Sequence, residues 1–202
     1  MSEAGSKACR GKPAVNDAAV IAFGDAAAFE QWLDAHAGLR AGVWLKIAKR
    51  GSGVRSLTSD EAVDVGLCHG WVSGQRKSCD DAYYLQKYVP RRPGSRWSQV
   101  NVAKAGELIA AGRMRPAGLA EVDAAKADGR WAAAYPSQRN ATVPPDLAAA
   151  LAASPRAAQA FDALSKTQQY AVILKLATAR TPTGRAAQLR RAMTTLGAPG
   201  AK

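Results

Sequence analysis

The stretch that decides the fold is LTSDEAVDVGLCHGWVSGQRKSCDDAYYLQKYVP, residues 57–90. Thr58 and Glu61 have the spacing of a capping box, so a helix is expected to begin there and to end at Gly70. The next segments, WVSGQRK and DAYYLQKYV, have the composition of strands and are joined by SCDD, which favours a turn. A helix followed by an antiparallel pair of strands predicts an α+β protein.

The residues before this stretch predict one more helix and one more strand. In GDAAAFEQWLDAHAG, residues 24–38, Phe29, Trp32 and Leu33 share one apolar stripe, and Asp25 has the position of an N-cap. GVWLKIAK, residues 42–49, alternates as a strand with one buried face does.

Helices dominate the rest of the chain. We expect Ser95 to cap a helix that begins near Arg96, and Pro116 to lie just inside the start of the next helix. From Asp146 onward, four segments carry apolar residues three or four apart, which predicts four helices. The fold class is therefore α+β, with a small, mainly antiparallel sheet and packed helices, followed by a helical C-terminal portion.

Length and composition set the domain organisation. The chain has 202 residues, of which 48% are hydrophobic, enough for one domain or two small ones. We expect a disordered tail over residues 1–18, an α+β domain over 19–140 and a helical subdomain over 141–198 packed on it. No apolar run has the length of a signal peptide or approaches the roughly 20 residues that cross a bilayer. We therefore expect a cytoplasmic protein with no membrane partner.

The net charge of +12 is concentrated towards the C-terminus. From Ala163 to the end there is no acidic residue, and the seven basic residues are Lys166, Lys175, Arg180, Arg185, Arg190, Arg191 and Lys202. This pattern predicts a cationic surface on the C-terminal helices, for which a nucleic acid is one candidate partner.

Cysteine and histidine are too sparse to predict a metal site. The chain has three cysteines and two histidines with no CxxC pair, so neither a structural zinc site nor any cofactor is expected. Cys68 and His69 are adjacent at a predicted helix end, where a thiolate nucleophile is one interpretation. A small buried cysteine is the other.

Arginine and aromatic residues alternate between positions 71 and 135. Arginine stacks on aromatic rings and binds carboxylate or phosphate groups through two hydrogen bonds. Arg91, Arg92 and Arg96 also precede a predicted helix, whose free N–H groups favour an anion. We therefore predict a cleft for a planar aromatic or anionic small molecule. Its predicted lining is Trp71, Tyr84, Arg91, Arg92, Arg96, Trp97 and Trp131. A hydrophobic core covered by arginine stems is the alternative.

Six segments of the chain resemble the bacterial YdeI/OmpD-associated family of bacteriocin-protection proteins. They are GVWLKIAKRGSG, LTSDEAVDVGLCHGWVSGQRK, PRRPGSRWSQVN, AAGRMRPAGLAEVDAAKADGRWAAAY, VPPDLAAALAASPRAAQAFDALS and ARTPTGRAAQLRRAM. The resemblance runs from about Phe29 to Leu196. The family usually has an aromatic residue where His69 stands and an acidic residue where Ser73 stands. The resemblance implies a role in protection against bacteriocins or cationic antimicrobial peptides.

Three functions are consistent with the sequence. The leading hypothesis is a cytoplasmic small-molecule-binding protein with a protective or antibiotic-resistance role, whose ligand lies in the predicted aromatic–arginine cleft. The first alternative is a nucleic-acid-binding protein that uses the basic C-terminal helices. The second is a cofactor-free enzyme that uses Cys68 or His69. The sequence favours a binding protein over an enzyme and leaves the oligomeric state open.

Overall fold

The computed structural model describes residues 18–179 and 181–198. The predicted tail over residues 1–18 lies outside this range, apart from Ala18, which is buried. The described residues form two compact units. The first comprises residues 18–95 and 103–128, and the second comprises 96–102, 129–179 and 181–198. The second unit thus begins before the predicted boundary at residue 140 and includes the segment around Trp97.

The first unit contains a four-stranded sheet with the strand order β1-β2-β4-β3. The strands are β1 (Val20–Ile21), β2 (Val43–Ala48), β3 (Trp71–Ser78) and β4 (Tyr83–Pro90). Strand β1 is parallel to β2, and β4 is antiparallel to both β2 and β3. The predicted antiparallel pair and the mainly antiparallel sheet are therefore confirmed. Strand β1 was not predicted, because two residues are too few to show an alternating pattern.

Three helices of the first unit begin where the sequence predicts. Helix α1 (Ala26–Ala35) is capped by the Asp25 side chain, which accepts a hydrogen bond from Ala28 N. Helix α2 (Ser59–Cys68) has the complete capping box of Thr58 and Glu61. Helix α4 (Pro116–Ala127) starts with its proline. Helix α3 (Gln99–Ala110) contributes residues 99–102 to the second unit and the rest to the first.

One face of the sheet carries the core of the first unit. Val43, Leu45 and Ile47 of β2 and Tyr88 of β4 are almost completely buried in one cluster with residues of α1 and α2. Gly66 permits this packing, since a Cβ there would lie 3.0 Å from the Tyr88 ring. The alternation in β2 thus determines which face meets the helices.

The second unit contains the four predicted C-terminal helices. They are α5 (Pro145–Ala152), α6 (Pro155–Asp162), α7 (Lys166–Ala177) and α8 (Pro182–Gly197). The apolar residues at helical spacing form its core, which consists of Leu147, Leu151, Ala157, Phe161, Ile173, Leu176 and Leu196. The α+β class with a helical C-terminal portion is confirmed.

The predicted start of α3 is wrong. The helix begins at Gln99, and Ser98 Oγ accepts a hydrogen bond from Asn101 N at 3.2 Å. Ser95 Oγ instead accepts from Arg92 N at 2.8 Å. The intervening backbone is occupied by strand-like pairing with Tyr135, whose N–H donates to Trp97 O at 3.1 Å while its carbonyl accepts from Gln99 N at 2.9 Å. The three predicted arginines therefore do not lie in the first turn of this helix.

A bidentate ion pair links α5 to α8 in the second unit. Arg185 donates from Nε and Nη2 to the two carboxylate oxygens of Asp146 at 2.7 and 2.8 Å. Its Nη1 also donates to the carbonyl of Leu176 in α7, at 2.8 Å. The two hydrogen bonds from Arg185 to Asp146 hold the pKa of the Asp146 carboxyl below its usual value. Arg185 therefore has a structural role that joins three helices.

Replacing Asp146 by asparagine should make stability depend less on pH. Because its pKa is lowered in the folded state, Asp146 contributes stability above the usual aspartate pKa of about 3.9, and that stability is lost as the pH falls through the folded-state pKa. We expect Asp146→Asn to cost about 1 kcal/mol near neutral pH, since solvent screens the pair in part. Urea unfolding followed by circular dichroism should show the two proteins converging in acid. The exposed Asp162, changed to asparagine, is the control, and an equal loss in that variant would contradict the assignment.

A methyl group on Gly118 should destabilise the first unit. Arg115 N donates to the carbonyl of Cys68 at 3.0 Å, which brings the start of α4 against the end of α2. A Cβ on Gly118 would clash with that same carbonyl oxygen. We expect Gly118→Ala to lower the free energy of unfolding by about 2 kcal/mol or more.

The matched control is Gly106→Ala in α3, where a Cβ meets nothing within 4 Å. This change should be neutral or stabilising by about 0.5 kcal/mol, because alanine loses less backbone entropy in a helix. Urea unfolding of both variants tests the comparison. Equal stabilities would show that the contact between α2 and α4 is not close.

Candidate functional site

The seven residues of the predicted cleft are divided between the two units. The first unit holds Trp71, Tyr84, Arg91 and Arg92, and the second holds Arg96, Trp97 and Trp131. Within each unit, the structure shows which of these residues come together.

In the second unit the predicted residues have packing roles. Trp97 is 1% exposed, and its ring centroid lies 4.9 Å from that of Trp131. Arg96 Nη1 donates to Thr178 Oγ1 at 2.6 Å, at the C-terminal end of α7. The structure therefore brings the two tryptophans together as an aromatic pair.

In the first unit the predicted residues do not line one pocket. Trp71 pairs with Pro90 at one end of the β3–β4 ladder and is buried in the core, whereas Tyr84 pairs with Ser78 at the other end. Arg91 is 5% exposed, and Arg92 is exposed. Of these residues, only Tyr84 lines a cavity formed by the loop after β2 and the neighbouring strands.

The cavity beside Tyr84 has a volume of about 870 Å³. Its walls are the loop after β2, the start of α2 and the adjoining ends of β3 and β4, and we call it the Arg76 cavity. The loop is held to β2 by Ser56, whose Oγ accepts from Ala48 N at 3.0 Å and donates to Leu57 O at 3.0 Å. The cavity is therefore formed by segments that the sheet positions.

A bulge in β3 places Arg76 in this cavity. The pairing of β3 with β4 shifts register between Ser73 and Arg76. The Gln86 amide, on the neighbouring strand, is buried and donates to the carbonyls of Gly74 and Gln75 at 2.9 and 3.2 Å. The oxygen of the same amide accepts from Arg76 Nε at 3.1 Å. Gln86 therefore provides hydrogen-bond donors for the two carbonyls of the bulge, and the same side chain orients Arg76.

Arg76 lies on the face of Tyr84. The guanidinium carbon is 4.2 Å from the centroid of the Tyr84 ring, a cation–π distance. Among the residues that the structure describes, the two terminal nitrogens of Arg76 have no hydrogen bond or ion pair. Because Gln86 engages only Nε, the outer edge of the guanidinium can donate two parallel hydrogen bonds to an anion.

The charges around the Arg76 cavity have mainly one sign. Lys49, Arg50, Arg76 and Lys77 line it, and Asp60 is the one carboxylate among its lining residues. The sequence prediction selected Tyr84 but not Arg76. The sequence of β3 predicts a regular alternation of faces, and this pattern does not reveal the bulge or the contact with Gln86 that place Arg76 in the cavity.

His69 lines a second, smaller cavity of about 440 Å³. Its Nδ1 lies 3.0 Å from the carbonyl of Val65, and its Nε2 lies 3.0 Å from Asp34 Oδ1. Arg115 also contacts Asp34, at 3.6 Å, and Glu30, at 3.1 Å. Both ring nitrogens of His69 therefore lie at hydrogen-bonding distance from an oxygen atom of the protein.

Cys68 is 2% exposed, and burial raises the pKa of its thiol despite the nearby positive charge of Arg113. A raised pKa lowers the fraction of the nucleophilic thiolate. The hypothesis of a catalytic Cys68 or His69 stays a prediction, and the surroundings of neither residue support it.

The described residues contain no group of three or more histidine, cysteine, aspartate or glutamate side chains that could hold a metal ion. None of the helices in the described ranges has the length and apolar character needed to cross a membrane.

Two protein families match different parts of the chain. Residues 21–121, half of the 202 residues, match the family described as Domain of unknown function (DUF8412). Residues 140–198 match the family described as Bacteriocin-protection, YdeI or OmpD-Associated. No curated protein and no solved structure matches the chain.

Iodoacetamide should alkylate Cys68 about tenfold more slowly than free cysteine at about pH 8, because the thiol is buried and its pKa is raised. Mass spectrometry of the tryptic peptide that contains Cys68 measures the rate. In denaturant the rate should rise to that of free cysteine. Alkylation of the folded protein faster than free cysteine would restore the reactive-thiol hypothesis.

Proposed function

The chain belongs to the bacteriocin-protection, YdeI or OmpD-associated family, which its residues 140–198 match, and we propose that it is a small-molecule-binding protein with a protective role. Over residues 21–121 it also belongs to the family described as DUF8412. The proposed ligand is a planar aromatic molecule with an anionic group, bound in the Arg76 cavity. The proposal keeps the cytoplasmic location predicted from the sequence.

The observation that carries this proposal is the arrangement of Gln86, Arg76 and Tyr84. Gln86 holds the guanidinium by Nε, and Tyr84 supports its face at 4.2 Å. An arginine held in this way loses less side-chain freedom when it binds a ligand. Its terminal nitrogens would bind a carboxylate, sulfonate or phosphate, while the Tyr84 ring and the exposed Val54 side chain would contact the planar part.

The charge of the site decides between ligand classes. Four basic residues and one acidic residue line the Arg76 cavity, and the whole chain carries a net charge of +12. A cationic antimicrobial peptide would be repelled by such a protein, whereas an anionic molecule would be attracted. We therefore propose protection by sequestering an anionic aromatic compound.

Replacing Arg76 by glutamine should weaken binding of an anionic aromatic probe. We expect the Kd of anilinonaphthalene sulfonate, measured by fluorescence titration, to rise about tenfold, which is the loss of one charge-assisted contact of about 1.4 kcal/mol. The neutral analogue N-phenylnaphthylamine should bind the wild-type and Arg76→Gln proteins equally, since it has no sulfonate. Tyr84→Leu should weaken both probes, and Tyr84→Phe should weaken neither.

Arg92→Gln is the matched control, because it removes the same charge from an exposed residue outside the Arg76 cavity. Equal losses in Arg92→Gln and Arg76→Gln would show that the probe responds only to net charge. No saturable binding to the wild-type protein would also reject the proposal. If binding protects, bacteria that produce the wild-type protein should survive exposure to a compound that displaces the probe. Bacteria that produce Arg76→Gln should survive the same exposure less well.

A further inference from the structure

A groove in the second unit has an apolar floor. It lies among α6, α7 and α8 and has a volume of about 1140 Å³. Ala160 and Leu164 contribute to it from the end of α6, Val172 from α7 and Leu196 from α8. The first three of these side chains are half-buried, although all four belong to or pack on the core of this unit. The groove thus exposes part of an apolar surface that the four helices leave uncovered.

The rim of this groove is cationic on both walls. Lys175 of α7 stands on one side, and Arg190 and Arg191 of α8 stand on the other. All three are exposed, and none of the three side chains makes a hydrogen bond or ion pair with a described residue. The lining includes no carboxylate, and the sequence from Ala163 onward contains none either. Among the residues that the structure describes, no acidic side chain forms an ion pair with these cations.

The length of the groove matches a short helix. Its α8 wall extends from Ala187 to Leu196, which corresponds to about 15 Å at the helical rise of 1.5 Å per residue. About three turns of a partner helix would cover that length. Such a helix would present an apolar stripe to the floor and residues on both flanks to the two walls.

We propose that this groove binds an acidic amphipathic helix of a partner protein. An apolar floor between two cationic walls is complementary to an apolar stripe flanked by glutamate or aspartate on both sides. A nucleic-acid backbone would satisfy the cations but not the apolar floor. A second copy of the chain, with its net charge of +12, is a poor source of the acidic helix.

A synthetic peptide of about 14 residues tests the proposal, with leucines at helical spacing and glutamates on both flanks. Fluorescence anisotropy with a labelled peptide measures its Kd. We expect saturable binding to the full chain. Lys175→Glu and Arg190→Glu should each weaken it about fivefold, which corresponds to about 1 kcal/mol for an exposed charge pair. Arg156→Glu is the matched control, since Arg156 is exposed on α6 outside the groove lining, and it should change the Kd little.

Two further ligands separate the apolar contribution from charge alone. A scrambled peptide of the same composition, without the apolar stripe, should bind at least about tenfold more weakly. Equal binding of the scrambled peptide, or no binding of the designed one, would overturn the proposal. A short DNA duplex that binds more tightly than the peptide and loses affinity in the same two variants would assign the surface to nucleic acid instead. None of these outcomes depends on the Arg76 cavity.

Discussion

The requirement that the buried Gln86 amide satisfy its hydrogen-bonding groups is the constraint on which the candidate site depends. Its N–H₂ group donates to the two carbonyls that the bulge in β3 would otherwise leave without strand partners, and its oxygen accepts from Arg76 Nε. An apolar residue at position 86 would leave these groups unsatisfied near the core. The bulge, the direction of Arg76 and the contact with Tyr84 are therefore parts of one arrangement.

The excess of positive charge has different consequences in the two units. In the first, Arg76 is held by a neutral amide and an aromatic ring, so its charge remains available to a ligand. In the second, Arg185 is neutralised by Asp146, whereas Lys175 and Arg190 remain exposed beside an apolar groove. Net charge alone indicates only attraction to anions. The local partner of each cation decides whether it stabilises the fold or can bind.

The residue types of the candidate site followed from the sequence, but the particular residues that form it did not. Alternating arginine and aromatic residues predicted a cleft in which the two side-chain types meet, and Tyr84, which contacts Arg76, was among the residues selected. Trp71 and Trp97 were selected for the same reason, yet both are buried. Composition cannot separate these outcomes, because an aromatic ring under an arginine and an aromatic ring in a core have the same local sequence pattern. Strand register and burial distinguish them.

The sequence by itself determined the α+β class, the caps of α1 and α2, the antiparallel β3–β4 pair and the four C-terminal helices. Caps and periodicity are local, since each depends on residues within a few positions of one another. Only the tertiary structure decided where α3 begins, because Tyr135 pairs with the backbone around Trp97 from more than 30 residues away. It also decided that Arg76 reaches Tyr84, since the bulge depends on Gln86 in the neighbouring strand. Both depend on hydrogen bonds between segments whose proximity no local pattern encodes.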